Sequence, residues 1–253
     1  MRPTLSVVVP VFNDREHLAV LLLMLEAQRE RPLEIIVVDN NSSDGSGELA
    51  RTEGVRVIVE TRPGVAAAAA AGYDAARGEV IVRCDADTRP GPTWTQRISE
   101  HFSCGRRIDA LTGIGRFYDL PGWFRGFAAL YYFGMYYGGI GAALAKVPLW
   151  GSNMAFRRRV WEAHRLEVSR GNPSVHDDLE LSCLLDPALR VRLDMRLKVG
   201  VAGRCFDNAA ALRESINRAR MTLALHGGTA KISSRYRSRI AAFAKSVRQS
   251  GQK

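Results

Sequence analysis

The chain has 253 residues, 46% of them apolar, and a formal net charge of +10. Length and apolar content suit a globular protein with a substantial core, one sizeable α/β domain or two small ones. Four scattered cysteines (Cys84, Cys104, Cys183 and Cys205), with no Cys-x-x-Cys and no histidine at metal spacing, exclude a disulfide frame and a thiolate zinc centre, and fit a reducing cytoplasm.

In chain order, the β-branched run Leu5 to Val9, closed by Pro10, predicts a first strand. It is too short and too β-branched for a secretory leader. Arg15 to Arg29 places Leu18, Leu21, Leu22 and Leu25 on one helical face. Leu33 to Val38 predicts a second strand, followed by a polar turn (Asn40 to Gly45) and a short helix over Gly47 to Thr52. Val55 to Val59 predicts a third strand. Gly64 and the run Ala66 to Ala71 open a helix that continues to Ala76 and is closed by Gly78. Its small side chains predict close packing on a sheet, since a flexible linker would hold Gly and Ser. Val80 to Cys84 predicts a fourth strand. This alternation of apolar strands and helices predicts an α/β fold with a parallel sheet covered on both faces. Ligands of such sheets bind at the carboxyl ends of the strands. The clusters Pro10 to Asp14, Asp39 to Asp44, Arg62 to Gly64 and Asp85 to Asp87 all fall there.

The second half is less regular. Trp94 to Phe102 predicts a helix and Ile108 to Ile114 a strand. Gly126 to Ala145 carries no charge and is rich in Phe and Tyr. Its length touches the membrane-spanning threshold, but its glycines and tyrosines argue against a true span. A buried helix and a segment lying against a membrane or a lipid-linked acceptor both remain open. Trp150 to Arg157 predicts a tight turn entering a strand. Asp177-Asp178-Leu179-Glu180-Leu181 opens a helix with its acids at the positive end of the dipole. Ala209 to Leu225 predicts the last helix of a single domain over residues 1–228, with a donor half (1–104) and an acceptor half (105–228). From Ser215 to Lys253 there are nine Lys or Arg and no Asp or Glu. Residues 229–253 are therefore expected to form a basic tail, either solvated or drawn to polyanions such as anionic lipid headgroups or nucleic acid.

The densest chemistry is Asp85-Ala86-Asp87, directly after the fourth strand. Two carboxylates two residues apart on an extended chain project to the same side. At the open end of a strand they can hold a hard divalent cation whose other positions go to phosphate oxygens and water. That is a site for a nucleotide diphosphate. The triplet alone also fits an ordinary acidic loop; the convergence of four loops on one sheet edge is the stronger signal.

The ordered motifs resemble those of the family-2 glycosyltransferases, which have the GT-A fold. The matching residues are Val7-Val8-Val9-Pro10-Val11-Phe12-Asn13-Asp14, Val37-Val38-Asp39-Asn40-Asn41-Ser42-Ser43-Asp44-Gly45, Pro63-Gly64 with the alanine helix, Asp85-Ala86-Asp87, Gly151-Ser152-Asn153-Met154-Ala155, and Asp177-Asp178-Leu179-Glu180-Leu181. The resemblance implies a Rossmann-like, mostly parallel central sheet flanked by helices, and inverting transfer of a sugar from a UDP or GDP donor with Mg²⁺ or Mn²⁺. It places Pro10, Val11, Asn13, Asn41 and Gly64 at the nucleotide, with Asp14 where the family often has Glu. Asp39 would meet the base through a ring N–H, Asp85 and Ala86 the ribose or sugar, and Asp87 the metal. Asp178 matches the catalytic base, and Asp177 stands beside it in the usual Glu position.

The chemistry supports these roles. Glycosyl transfer passes through an oxocarbenium-like state. The leaving diphosphate gains charge that a divalent cation stabilises. The acceptor hydroxyl attacks from the opposite face and needs a base within hydrogen-bonding reach. Asp178 suits that task, and Asp177 would raise its proton affinity, since like charges disfavour joint ionisation; plain helix N-terminal acids are the alternative. Gly151 permits a tight turn. Asn153 offers a donor to a sugar hydroxyl or phosphate, unless the turn is only structural. Trp150 stacks on a sugar or sits in the core. His176 and His226 are candidate metal ligands or phosphate contacts, His226 the better one because Gly227-Gly228 would let a loop fold back over the diphosphate. Arg62 either contacts the nucleotide or is a surface residue.

The Gln-x-x-Arg-Trp motif and the spans of the processive members are not found, which points to addition of one sugar to a hydroxyl acceptor, lipid-linked or of the cell envelope. A nucleotidyltransferase or a dehydrogenase would need a Gly-rich loop after the first strand. The rival from another class is a non-catalytic basic protein on anionic lipid or nucleic acid. The enzyme reading expects no nucleic-acid partner and a cytoplasmic location, with the tail meeting anionic lipid at the inner face of the membrane.

Overall fold

A computed structural model describes residues 1–103, 108–172 and 174–250; Cys104 lies outside the described residues. The first half runs β1 (Leu5–Val11), α1 (Arg15–Glu26), β2 (Glu34–Asp39), α2 (Ser46–Thr52), β3 (Arg56–Val59), α3 (Val65–Ala75), β4 (Val80–Arg83), β5 (Arg89–Pro90) and α4 (Trp94–Phe102). It is followed by β6 (Ala110–Phe117) and α5 (Gly122–Phe133), which continues through a π-helical stretch (Gly134–Ile140) into α6 (Gly141–Leu144). A 3-10 turn (Gly151–Asn153) leads into β7 (Met154–Arg157), α7 (Arg158–His164), α8 (Asp177–Leu184), β8 (Val191–Val201), α9 (Ala209–Leu225) and α10 (Ile232–Ser250).

The eight strands form one sheet in the order β3-β2-β1-β4-β7-β6-β8-β5, to which both halves contribute. Four of the seven pairings are parallel, and β7 runs antiparallel to both neighbours. All of β1 is buried, as a strand covered on both faces must be. Its alternation sorts side chains between two layers. Val7 and Val9 join Leu18, Leu21, Leu22 and Leu25 of α1 on one face; Val8 joins Ala68, Ala69, Ala70 and Tyr73 of α3 on the other. Each fully buried leucine contributes about 1.5–3 kcal/mol. The alanines do allow α3 to approach closely: a Cβ on Gly72 would collide with Val8 and Val38.

The pairing directions bring the site together. β1, β2 and β4 are parallel, so their carboxyl ends share one edge. Because β7 is reversed, its start, with Gly151–Asn153, lies at that same edge. β6 and β8 run parallel, and β6 is reversed against β7, so β8 also delivers the residues after Val201 there. The sequence reading assigned no strand at β8, whose Arg192, Met195, Arg196 and Lys198 are exposed and break any apolar run.

The uncharged segment after Gly126 is amphipathic. Ala128, Phe133 and Leu144 are buried, while Trp123, Phe127, Leu130, Tyr131 and Met135 are exposed. Among the described residues no helix is long and apolar enough to cross a membrane. The basic tail starts as a helix held by the domain: Arg235 donates to the carbonyls of Ala143 and His226 at 3.0 and 2.9 Å, and Arg239 to that of Pro187 at 3.2 Å.

Candidate active site

The strand-end loops enclose a cleft of about 680 Å³. Pro10, Val11, Phe12 and Asp14 wall it from β1, Asn40 and Asn41 from β2, Pro63 to Ala66 from the start of α3, and Asp85, Ala86 and Asp87 from β4. Val175, Arg204 and Arg218 complete it from the second half. Of the residues expected at the nucleotide, Pro10, Val11, Asp14, Asn41, Gly64, Asp85, Ala86 and Asp87 therefore reach the cleft. Asn13 and Asp39 are not on its wall. Asn13 braces the β1 loop to the β2 loop, its Oδ1 accepting from the Ser43 N–H at 2.8 Å and its N–H donating to Ser42 Oγ at 3.1 Å. Asp39 accepts from the Ser42 N–H at 2.9 Å, and its other oxygen packs so tightly on Gly47 that a Cβ there would clash. Asn13 and Asn41 hold left-handed backbone, which asparagine tolerates better than bulkier residues. Arg62 turns to Glu60 in a two-point pair at 3.0 Å, off the wall of the cleft.

Charge is distributed unevenly around the two acids. Burial pushes the Asp87 carboxyl up to about 7, Asp85 pushes in the same direction, and Arg204 opposes both. Arg204, from the turn after β8, reaches Asp14 with Nη2 at 2.6 Å and Asp87 with Nε at 3.5 Å. Asp14 also holds His17 Nδ1 at 2.7 Å. Asp85 is held differently, by Arg83 at 2.9 Å and by the hydroxyl of Ser152.

Arg83 is the hub that the sequence reading passed over. It ends β4 at 4% exposure, with Asp85 on one side and Asp177 Oδ2 3.6 Å from its Nε on the other. Its guanidinium occupies the space a Cβ on Gly151 would fill. The Gly151 N–H in turn donates to Asp178 Oδ2 at 2.7 Å, and the Leu179 N–H to Asp178 Oδ1 at 2.7 Å. A continuous set of contacts, Asp85–Arg83–Gly151–Asp178, thus joins the cleft to the start of α8. The Asp177 carboxyl has a raised proton affinity: burial raises it first, Arg83 opposes, and the Asp178 charge adds to the rise. Asp177 Oδ2 and Arg83 Nε are buried and lack hydrogen-bond partners, which marks a site with unused polar capacity. Asp178 forms part of the wall of a second cavity of about 340 Å³, bounded by α5, the π-helical stretch and α9.

For three candidates the structure shows other partners. Asn153 is 0% exposed, and its side chain is engaged on both ends: it donates to the carbonyls of Ile114 and Leu197 at 3.2 and 2.8 Å and accepts from Trp94 Nε1 at 2.9 Å. It joins β6, β8 and α4, and both of its N–H donors are already committed. Trp150 is buried edge-on against Phe133, with ring centroids 4.8 Å apart, and is a core residue. His226 faces Glu180 at 3.3 Å, and Glu180 also binds Ser169, so this histidine is engaged away from Asp87. His176 bonds the Ser215 carbonyl at 3.2 Å beside the second cavity. Among the described residues no three His, Cys, Asp or Glu side chains are grouped to hold a metal ion by themselves.

The sheet and its helices have the GT-A architecture of solved glycosyltransferases. The chain belongs to glycosyl transferase family 2: the model of that family matches residues 6–164, more than half of the chain. The undecaprenyl-phosphate 4-deoxy-4-formamido-L-arabinose transferase of Aeromonas hydrophila is 34% identical over 130 residues, covering 47% of this chain and 39% of that protein. Its namesake from Pseudomonas fluorescens is 36% identical over 121 residues, covering 44% and 36%. The matched region of this chain thus spans about two fifths of these relatives' length. A mannosyltransferase from Pyrobaculum calidifontis, solved with GDP-Man and Mn²⁺, has a TM-score of 0.69 at 20% identity, covering 98% of this chain and 76% of that one. Glucosyl-3-phosphoglycerate synthase from Mycobacterium tuberculosis, solved with Mn²⁺, UDP and glucosyl-3-phosphoglycerate, has a TM-score of 0.63 at 20% identity, covering 88% and 80%. Family membership sets aside the non-catalytic basic protein.

Proposed function

We propose that this glycosyltransferase moves one sugar, with inversion, from a UDP- or GDP-sugar to an acceptor oxygen on a lipid-linked molecule. The observation that carries the reading is the chain of contacts from Asp85 in the donor cleft through Arg83 and Gly151 to Asp178 at a separate cavity: one wall serves both a donor side and an acceptor side. The nucleotide would lie against Pro10, Val11, Asn41 and Gly64, on a loop that Asn13 and Asp39 hold in shape. Asp14, Arg204 and Arg218 would surround the diphosphate. Asp178 would accept the proton of an acceptor hydroxyl, with the N–H groups of Gly151 and Leu179 fixing its orientation. The undecaprenyl-phosphate in the relatives' name supports a lipid-linked acceptor. Residues 1–228 would act as one catalytic domain, with the basic tail against an anionic membrane.

The donor set fits Mg²⁺ or Mn²⁺ shared with a substrate. Asp87 is largely buried beside a second acid and short of positive charge, and a hard cation accepts carboxylate, phosphate and water oxygens together. Bound at Asp87, with Asp85 beside it, the cation would neutralise charge on the departing diphosphate.

The test is thermal denaturation with UDP-, GDP- and dTDP-sugars, with and without Mn²⁺. A ligand at one hundred times its Kd adds about 2.7 kcal/mol, which for a chain of this size is roughly 5–10 °C. We expect that rise for one nucleotide and only with metal. Asp87→Ala should remove it; Asp178→Asn should keep it while transfer stops. No rise with any nucleotide would refute the proposal.

A further inference from the structure

We infer that the second cavity holds the head-proximal part of a long hydrocarbon acceptor, an isoprenoid or similar chain, whose oxygen nucleophile is presented to Asp178. This rests on the transferase reading above and says where the acceptor enters. The cavity, at about 340 Å³, falls within the range of small-ligand sites (about 300–1,000 Å³). Its walls are mostly apolar, with Tyr132, Tyr136 and Ile140 on one side and Leu212, Ile216 and Leu223 of α9 on the other; Asp178, His176, Ser215 and Arg220 are its polar lining. A soluble sugar or phosphoglycerate acceptor would need polar partners along the whole wall, whereas a hydrocarbon with a polar head needs only the few present here.

The local sequence explains the opening. The stretch Gly134–Ile140 is π-helical, a wider turn than the α-helix and one frequent at functional sites. Tyr136 and Tyr137 are pinned to the carbonyls of Leu149 and Gly113. Gly139, on the cavity wall, leaves space: a Cβ there meets only the end of Met135, at 3.8 Å.

The helix that leads into the cavity, α5, suits the remainder of the chain. Trp123 is 84% exposed and Leu130 76%, and Phe127, Met135 and, across the cavity, Ile216 of α9 are exposed as well. Several large apolar side chains exposed on one helix beside a cavity suit an interaction site. On α10, Tyr236, Ile240 and Phe243 are exposed at helical spacing with Arg237 between them, while Arg235 and Arg239 fasten the helix to the domain. Basic residues beside an apolar stripe are suited to an anionic lipid surface. The exposed aromatic helix, the mouth of the cavity and the basic helix therefore share one class of partner, an amphiphile at a membrane.

The test uses the full chain, farnesyl monophosphate as probe and inorganic phosphate as control. Gly139→Leu fills the cavity from a position with free space, and Ala219→Phe fills it from the α9 wall, so a folding defect in one leaves the other informative. Calorimetric titration should show farnesyl monophosphate binding at least tenfold weaker to each variant, with inorganic phosphate unable to displace it from the wild type. The nucleotide-dependent rise in Tm should be the same in all three proteins. Equal farnesyl binding by wild type and by a folded variant, or displacement by inorganic phosphate, would overturn the inference while the donor site stands. A wild type that binds the isoprenoid but no nucleotide sugar would instead overturn the transferase reading.

Discussion

Replacing Gly151 by alanine tests the contact chain most directly. The added Cβ would overlap Nη1 of Arg83, and the guanidinium has no free direction of retreat. It is 4% exposed, held at 2.9 Å by Asp85 and flanked by Asp177 at 3.6 Å. Either Arg83 leaves its carboxylates or the turn moves and breaks the 2.7 Å bond from the Gly151 N–H to Asp178. Separating a buried charge from its partners costs about 3–5 kcal/mol; overpacking without loss of the pair costs about 1–3. We expect the larger figure, because both outcomes leave a buried ionised group short of a partner. At roughly 2–4 °C per kcal/mol for a chain of this size, Tm should fall by about 6–20 °C. Scanning calorimetry with urea titration measures this, and Gly91→Ala is the control, since a Cβ there meets nothing within 4 Å. A Gly151→Ala protein melting within about 2 °C of wild type would refute the claim that Arg83 is locked.

Asn153→Ala should be destabilising, not merely inactivating. It strands the Trp94 N–H and two buried carbonyls at about 1–3 kcal/mol for each unsatisfied group, and chemical denaturation should show a loss of several kcal/mol with donor affinity retained in whatever fraction folds. Gly72→Ala should cost about 1–3 kcal/mol by overpacking α3 on Val8 and Val38, read as a lower urea midpoint with unchanged slope. Asp194 governs the acid limb of stability. Burial alone would raise its carboxyl, but the bonds from Arg97, the Arg196 N–H and His101 hold it well below the ordinary 3.8. A carboxylate with a depressed folded pKa contributes fully above its unfolded value and loses that contribution as pH falls through the window beneath it. Tm should therefore drop more steeply below about pH 4 in wild type than in Asp194→Asn, and parallel acid limbs would contradict this assignment.

Much of the donor half was legible because its determinants are local. Four apolar strands, the leucine stripe of α1 and the alanine face of α3 each announce themselves within a dozen residues, and parallel pairing then places the polar loops on one edge. The second half was harder for a physical reason. β8 is half exposed, and its charges hide it. Arg204 and Arg218 enter the cleft from segments far from the motifs they join, and nothing in their neighbours marks them. Arg83 did leave a signal: an arginine closing an otherwise apolar buried strand must meet a carboxylate, and an acid lies two residues on.

Asn153 and Asp87 show why residue type alone does not separate a ligand-binding group from a structural one. Both are polar and both sit at the sheet edge beside matched motifs. Asn153 has three protein partners with good geometry and no exposure, so any sugar would have to displace bonds that join β6, β8 and α4. Asp87 has one ion pair, to Arg204 at 3.5 Å, and a carboxyl still pushed up to about 7 by burial and a neighbouring acid. A satisfied group is already at its free-energy minimum, whereas an under-compensated charge gains from any cation that arrives. By that criterion we expect cation binding at this edge to fall to Asp87 and not to the Gly-Ser-Asn turn.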